Sequence, residues 1–90
     1  MLHIIKTVSA LEDAFALYSE QDAVLLIEDA VYAANPQQAF SHVKHATVFA
    51  LESDIQARGM ANRISPSVTV VDYVGFVELT AKHDKSLTWD

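Results

Sequence analysis

The stretch Ala23-Val24-Leu25-Leu26-Ile27, closed by Glu28-Asp29, decides the fold class. Its apolar residues follow one another without alternating between a wet and a dry face. That pattern describes a strand covered on both sides, as in a parallel sheet, and not a half-solvated antiparallel one. Similar runs lie to either side: Leu2-His3-Ile4-Ile5 before it, then Ala46 to Leu51 and the β-branched Val68-Thr69-Val70-Val71 after it. The tail Ser86-Leu87-Thr88-Trp89 reads as a short edge strand.

Helix signals fill the gaps. Ser9-Ala10-Leu11-Glu12 has the form of a capping box, and Leu11, Ala14, Phe15 and Tyr18 follow at the spacing of one helix face, ending near Gln21. Asp29 to Ala34 reads as a short helical stretch. Asn35-Pro36 breaks the chain, and Gln37 to His42 restarts it as another short helix. Glu52 or Ser53 opens a helix through Arg58, with Gly59 placed where a left-handed cap is needed. Asp72 caps the last helix, whose expected apolar face is Tyr73, Phe76, Val77 and Ala81, with Gly75 allowing a close contact. Strands alternating with helices predict an α/β fold: a single domain over residues 1–90, with a mostly parallel sheet of four to five strands and helices on both faces, a Rossmann-like three-layer arrangement.

Composition narrows the function. The chain has 90 residues, 51% of them apolar, enough for one small core. So apolar a composition in so small a domain suits a partner interface and an ordinary compact core equally well. The net charge is −6, and the six basic residues, Lys6, Lys44, Arg58, Arg63, Lys82 and Lys85, are scattered. Phosphate backbones and anionic membranes are bound by clustered Lys and Arg, so neither nucleic acid nor membrane is an expected direct partner. There is no cysteine, which excludes disulfides, Cys-ligated metal and thiol catalysis, and which fits the cytoplasm. No signal sequence or membrane-length apolar run stands out.

Catalytic patterns are sparse. Gly occurs only at 59 and 75, so neither a phosphate-binding loop nor a dinucleotide fingerprint is present, and no cofactor is implied. In parallel sheets, sites form beyond the C-terminal strand ends. There the sequence places Thr7 and Ser9, Glu28 and Asp29, Glu52 and Ser53, and Asp72. Glu28, Asp29, Glu52 and Asp72 could form an acid–base or metal site. The competing reading makes Ser9, Ser53 and Asp72 helix caps, with the acids favoured by helix dipoles. The turn Lys6-Thr7-Val8-Ser9 could offer N–H groups to a small anion. His42 and His45 have helical spacing but no third ligand, and read as solvated side chains. His3 reads as a hydrogen-bonded core or edge residue, and His83 beside Lys82 as a cation at a helix C-terminus. From the residues alone, an acid–base enzyme and a stand-alone anion binder stay open beside a partner-binding role.

Four segments carry a family resemblance: Leu2 to Ile5, Leu25 to Ala34, Phe49 to Gly59, and Val71 to His83. Their order and spacing, with Trp89 near the end, resemble the DsrH/TusB family nearly end to end. Ala30 stands where family members often have Gly, which alters the turn after the second strand. The resemblance implies a compact parallel α/β fold of the DsrE/F/H type. It also implies assembly with two related small subunits (of the TusC and TusD type) into a heterohexamer, a dimer of heterotrimers. In the tRNA branch such a complex passes persulfide sulfur toward 2-thiouridine at the wobble position, and the principal acceptor cysteine belongs to a partner. In the dissimilatory-sulfur branch some members carry a cysteine on the first helix. Here Ser9 to Glu20 has none, with Ala14 and Phe15 in its place. The resemblance therefore implies a non-enzymatic, cytoplasmic, partner-binding subunit of the tRNA branch. A place in a dissimilatory complex and a homodimer of the isolated chain remain alternatives. Tyr32, Phe40 and Trp89, large side chains near element ends, are the expected partner contacts.

Overall fold

A computed structural model describes residues 1–37 and 45–90. The expected helix from Gln37 to His42 and the side chain of Phe40 lie outside the described residues. Five strands form one sheet: β1 (Leu2–Ile5), β2 (Ala23–Leu26), β3 (Val48–Leu51), β4 (Val68–Val71) and β5 (Ser86–Trp89), in the spatial order β4-β3-β2-β1-β5. Every pairing is parallel, with Ile4 opposite Leu25 and Thr88, Leu25 opposite Phe49, and Ala50 opposite Val70. All residues of β1 and β2 are buried, as expected of continuously apolar strands.

Handedness decides the layering. The chain moves in one direction from β1 through β4, then returns past β1 to place β5 at the far edge. Right-handed crossovers put the first three connections on one face and the reversed one on the other. Accordingly α1 (Leu11–Ala16), a 3-10 helix (Glu28–Ala34) and α2 (Glu52–Ala57) pack with Ile5, Leu26 and Ala50 in the larger core. Helix α3 (Tyr73–Lys82) alone supplies helical cover to Leu2, Ile4 and Leu25 on the opposite face, through Leu79 and Phe76.

Several local expectations change. The first helix is shorter: a 3-10 turn at Val8–Ala10 leads into α1, and no side chain caps either. Ser9 Oγ bonds Thr7 Oγ1 at 3.2 Å, so the expected capping box does not form. After Ala16 the chain tightens, and Tyr18 turns so that its hydroxyl accepts from the Thr47 N–H at 3.0 Å. The stretch after β2 is a 3-10 helix of 7 residues. Positions three apart share a side in such a helix, and Ala30, Val31, Ala33 and Ala34 form two such buried pairs. Helix α2 starts at Glu52 behind Leu51, so neither Glu52 nor Ser53 is its cap.

Other expectations hold. Gly59 has φ +66°, with Gly59 N–H donating to Gln56 O at 3.1 Å and Met60 N–H to Ile55 O at 3.0 Å. This is a Schellman closure of α2, and Met60 and Ile55 meet in the core as the motif requires. Asp72 Oδ1 accepts from the Gly75 N–H at 2.9 Å and caps α3. A Cβ on Gly75 would lie 2.8 Å from Val71 Cβ, so only glycine lets α3 lie this close to its own strand. The buried face of α3 is a correction: Phe76 and Leu79 turn inward, whereas Tyr73, Val77 and Ala81 are exposed.

Candidate functional site

Because the strands are parallel, their C-terminal ends share one rim, where Lys6, Glu28, Asp29, Asp54, Arg58 and Asp90 meet. Glu28 is forced there into a left-handed backbone conformation, φ 51°, which a non-glycine residue adopts at a cost. Its N–H donates to Asp54 Oδ2 at 2.8 Å, fixing the start of the 3-10 helix against α2. Arg58 Nε donates to Asp29 Oδ1 at 3.0 Å, and its other arm lies 3.6 Å from Asp54 Oδ1. Lys6 Nζ stands 3.5 Å from Glu28 and 3.9 Å from Asp90.

This arrangement corrects the acid-site expectation. Glu28 and Asp29 come together, but each faces a cation; Asp72 serves α3 as its cap; Glu52 stays exposed at the start of α2. Among the described residues, no three His, Cys, Asp or Glu side chains converge as a metal site. Asp54, Arg58 and Lys6 organise the rim, and sequence reading missed them. Asp54 and Arg58 stand one helical turn apart in α2 and its cap, a visible ion-pair spacing, but the partner Asp29 comes from a separate crossover.

A second polar constellation lies inside the sheet. His3 is 0% exposed on β1. Its Nδ1 accepts from Trp89 Nε1–H at 3.1 Å, and its Nε2 lies 2.9 Å from Asp22 Oδ2. Indole N–H can only donate, so Nδ1 carries no proton and Nε2–H donates to Asp22. Asp22 also binds the N-terminal ammonium at 3.0 Å and accepts from the Ser19 N–H at 3.0 Å. The His3 hydrogen bond leads the causes that pull the Asp22 carboxyl down to about 2, outweighing the opposing effect of burial; the ammonium and the Ser19 N–H add to it. The neighbouring His83 is lowered from the usual histidine value by burial, then by the ammonium and Lys82. That reverses the expectation of a helix-end cation. An open hollow of 760 Å³ lies here, where Met1, Lys82 and Lys85 offset Glu20, Asp22 and Asp84. With its charges balanced, it favours neither anion nor cation.

The expected contact residues are dispersed. Tyr32 is 43% exposed on the 3-10 helix. Trp89 is half-buried against the larger core and engaged with His3. His45, of the expected histidine pair, is exposed, and His42 lies outside the described residues. No helix among the described residues is long and apolar enough to cross a membrane.

Comparison with known proteins adds what the geometry leaves open. A family model described as "DsrH like protein" matches residues 7–86. The "Protein TusB" of Salmonella dublin is 43% identical over 76 residues, covering 81% of this chain and 80% of that protein. The "Protein TusB" of Escherichia coli O1:K1 / APEC is 38% identical over 95 aligned positions, covering 99% of this chain and 100% of that protein. Among solved structures, the ychN protein of E. coli matches with a TM-score of 0.70 at 18% identity, covering 97% of each chain. The protein MTH1491 of Methanobacterium thermoautotrophicum, titled as of unknown function, matches with a TM-score of 0.65, also at 18% identity, covering 97% of this chain and 95% of that one. At such identity the two structures establish the fold alone.

Proposed function

This chain belongs to the DsrH family, and from that premise we propose that it is a non-catalytic subunit of a cytoplasmic sulfur-relay complex, one that passes persulfide sulfur toward 2-thiouridine at the tRNA wobble position. The observation that carries the reading is the absence of any cysteine from a member of a sulfur-relay family. Persulfide transfer needs a thiolate nucleophile, and no other side chain here replaces it. The chain therefore acts by holding and shaping a partner that bears the thiol. The partners are two related small subunits, joined with this chain as a dimer of heterotrimers. Residues 1–90 enter the complex as one unit, with Tyr32, Phe40 and Trp89 as contacts. The salt-bridged rim supports this reading: its acids serve internal pairs, which leaves no free general base.

The test is native mass spectrometry of the tagged chain recovered from its own cell. Recovery with two small subunits, at least one bearing a persulfidable cysteine, is the expected result. Deleting the gene should remove 2-thiouridine from hydrolysed tRNA, and re-expression should restore it. Recovery of the chain alone, with tRNA thiolation intact after deletion, would overturn the proposal.

A further inference from the structure

Helix α3 is apolar on the side that faces away from the sheet. Phe76 and Leu79 enter the smaller core, yet Tyr73 is 73% exposed, Val74 61% and Val77 48%. Ala81 continues the same strip, also exposed. A helix apolar all round belongs between two layers. The other exposed large apolar side chains among the described residues fall on separate segments and need no such explanation.

Charge indicates what covers this strip. The chain as a whole carries −6, so two copies repel across most of their surfaces. The outer side of α3 is an exception, with one acid, Glu78, and one base, Lys82. The helix is also self-complementary about Val77. In an antiparallel pairing centred there, the position four residues before Val77 meets the position four after it. The Tyr73 ring then lies over the small Ala81 of the second copy. One residue further out, Lys82 meets Asp72, opposite in charge. A two-fold axis makes each contact twice.

We propose that the outer face of α3 is an isologous contact between two copies of this chain, with the two-fold axis passing beside Val77. The contact needs no other subunit, so it stands apart from the sulfur-relay reading. A helix of 10 residues is only ~15 Å long. Stable complexes bury about 1,200 Å² or more, so this pairing is weak and depends on concentration.

The absence of cysteine makes the test clean, since one introduced thiol reports without background. Helix axes ~8–10 Å apart bring facing residues on a two-fold axis within disulfide reach. Val77→Cys, mildly oxidised, should form a covalent dimer at least about tenfold faster than Leu17→Cys, a control that is as exposed but on another segment. Sedimentation of the unmodified chain should show a concentration-dependent dimer. Val77→Asp and Lys82→Glu should each abolish it with helix content unchanged by circular dichroism. Equal cross-linking at positions 77 and 17, or a chain that stays monomeric at millimolar concentration, overturns the proposal. So does a Val77→Cys thiol that is shielded only when a different small subunit binds, an outcome that would leave the sulfur-relay reading intact.

Discussion

Replacing Asp22 with Asn removes the acceptor shared by the His3 imidazole, the N-terminal ammonium and the Ser19 N–H. The Asp22 carboxyl is held at about 2 against an ordinary 3.8. At ~1.4 kcal/mol per pH unit, that interval corresponds to about 2 kcal/mol in favour of the folded state. Some of this is screened, because the carboxylate is 11% exposed and the ammonium 38%. A loss of about 1–2 kcal/mol at neutral pH is therefore expected for Asp22→Asn. A carboxyl whose folded-state pKa is depressed gives its full contribution above the unfolded value and loses it as pH falls through the folded one. The stabilisation should thus be complete above about pH 5 and fade between about pH 4 and pH 2. Urea unfolding at a series of pH values reads this directly: the stabilities of variant and parent should converge as pH falls through that window. A constant gap down to pH 2 would refute the electrostatic origin of the effect, and no gap at pH 7 would refute the network's contribution altogether.

Trp89→Phe keeps an aromatic ring on the core but leaves His3 Nδ1 buried without its donor, so stability should fall by about 1–3 kcal/mol in chemical denaturation; an unchanged midpoint would show that the bond contributes nothing. Gly75→Ala should destabilise by about 1 kcal/mol or more despite alanine's better helix propensity, because the new methyl meets Val71 Cβ at 2.8 Å; a rise in melting temperature would contradict the tight packing. Glu28→Gly should raise stability by about 0.5–1 kcal/mol, since glycine accepts φ 51° freely and the exposed Lys6 pair that is lost contributes little; a clear fall would mean the pair outweighs the backbone strain.

Local features were legible where a short segment determines them. The strands of continuous apolar residues, the left-handed Gly59 closure and the Asp72 cap each depend on a few neighbouring residues and match the structure. The Ser9 cap fails because Thr7 takes the hydroxyl first, a competition that the S-x-x-E pattern does not encode. The rim acids were located correctly, but their cations come from β1's end and from α2, which only folding brings beside them. The His3–Asp22–Trp89 network joins residues as far as 86 positions apart, so no local motif announces it.

By itself, then, the sequence determined a parallel α/β sheet, the absence of thiol chemistry and kinship with a sulfur-relay family, because apolar runs, residue types and motif order are properties of the chain. Only the tertiary structure decided which side of α3 is buried. That helix is apolar on both sides, so periodicity gives it no preferred face. The reversal from β4 to β5 and right-handed crossover geometry set it on the sheet through Phe76 and Leu79, leaving Tyr73, Val74 and Val77 outside.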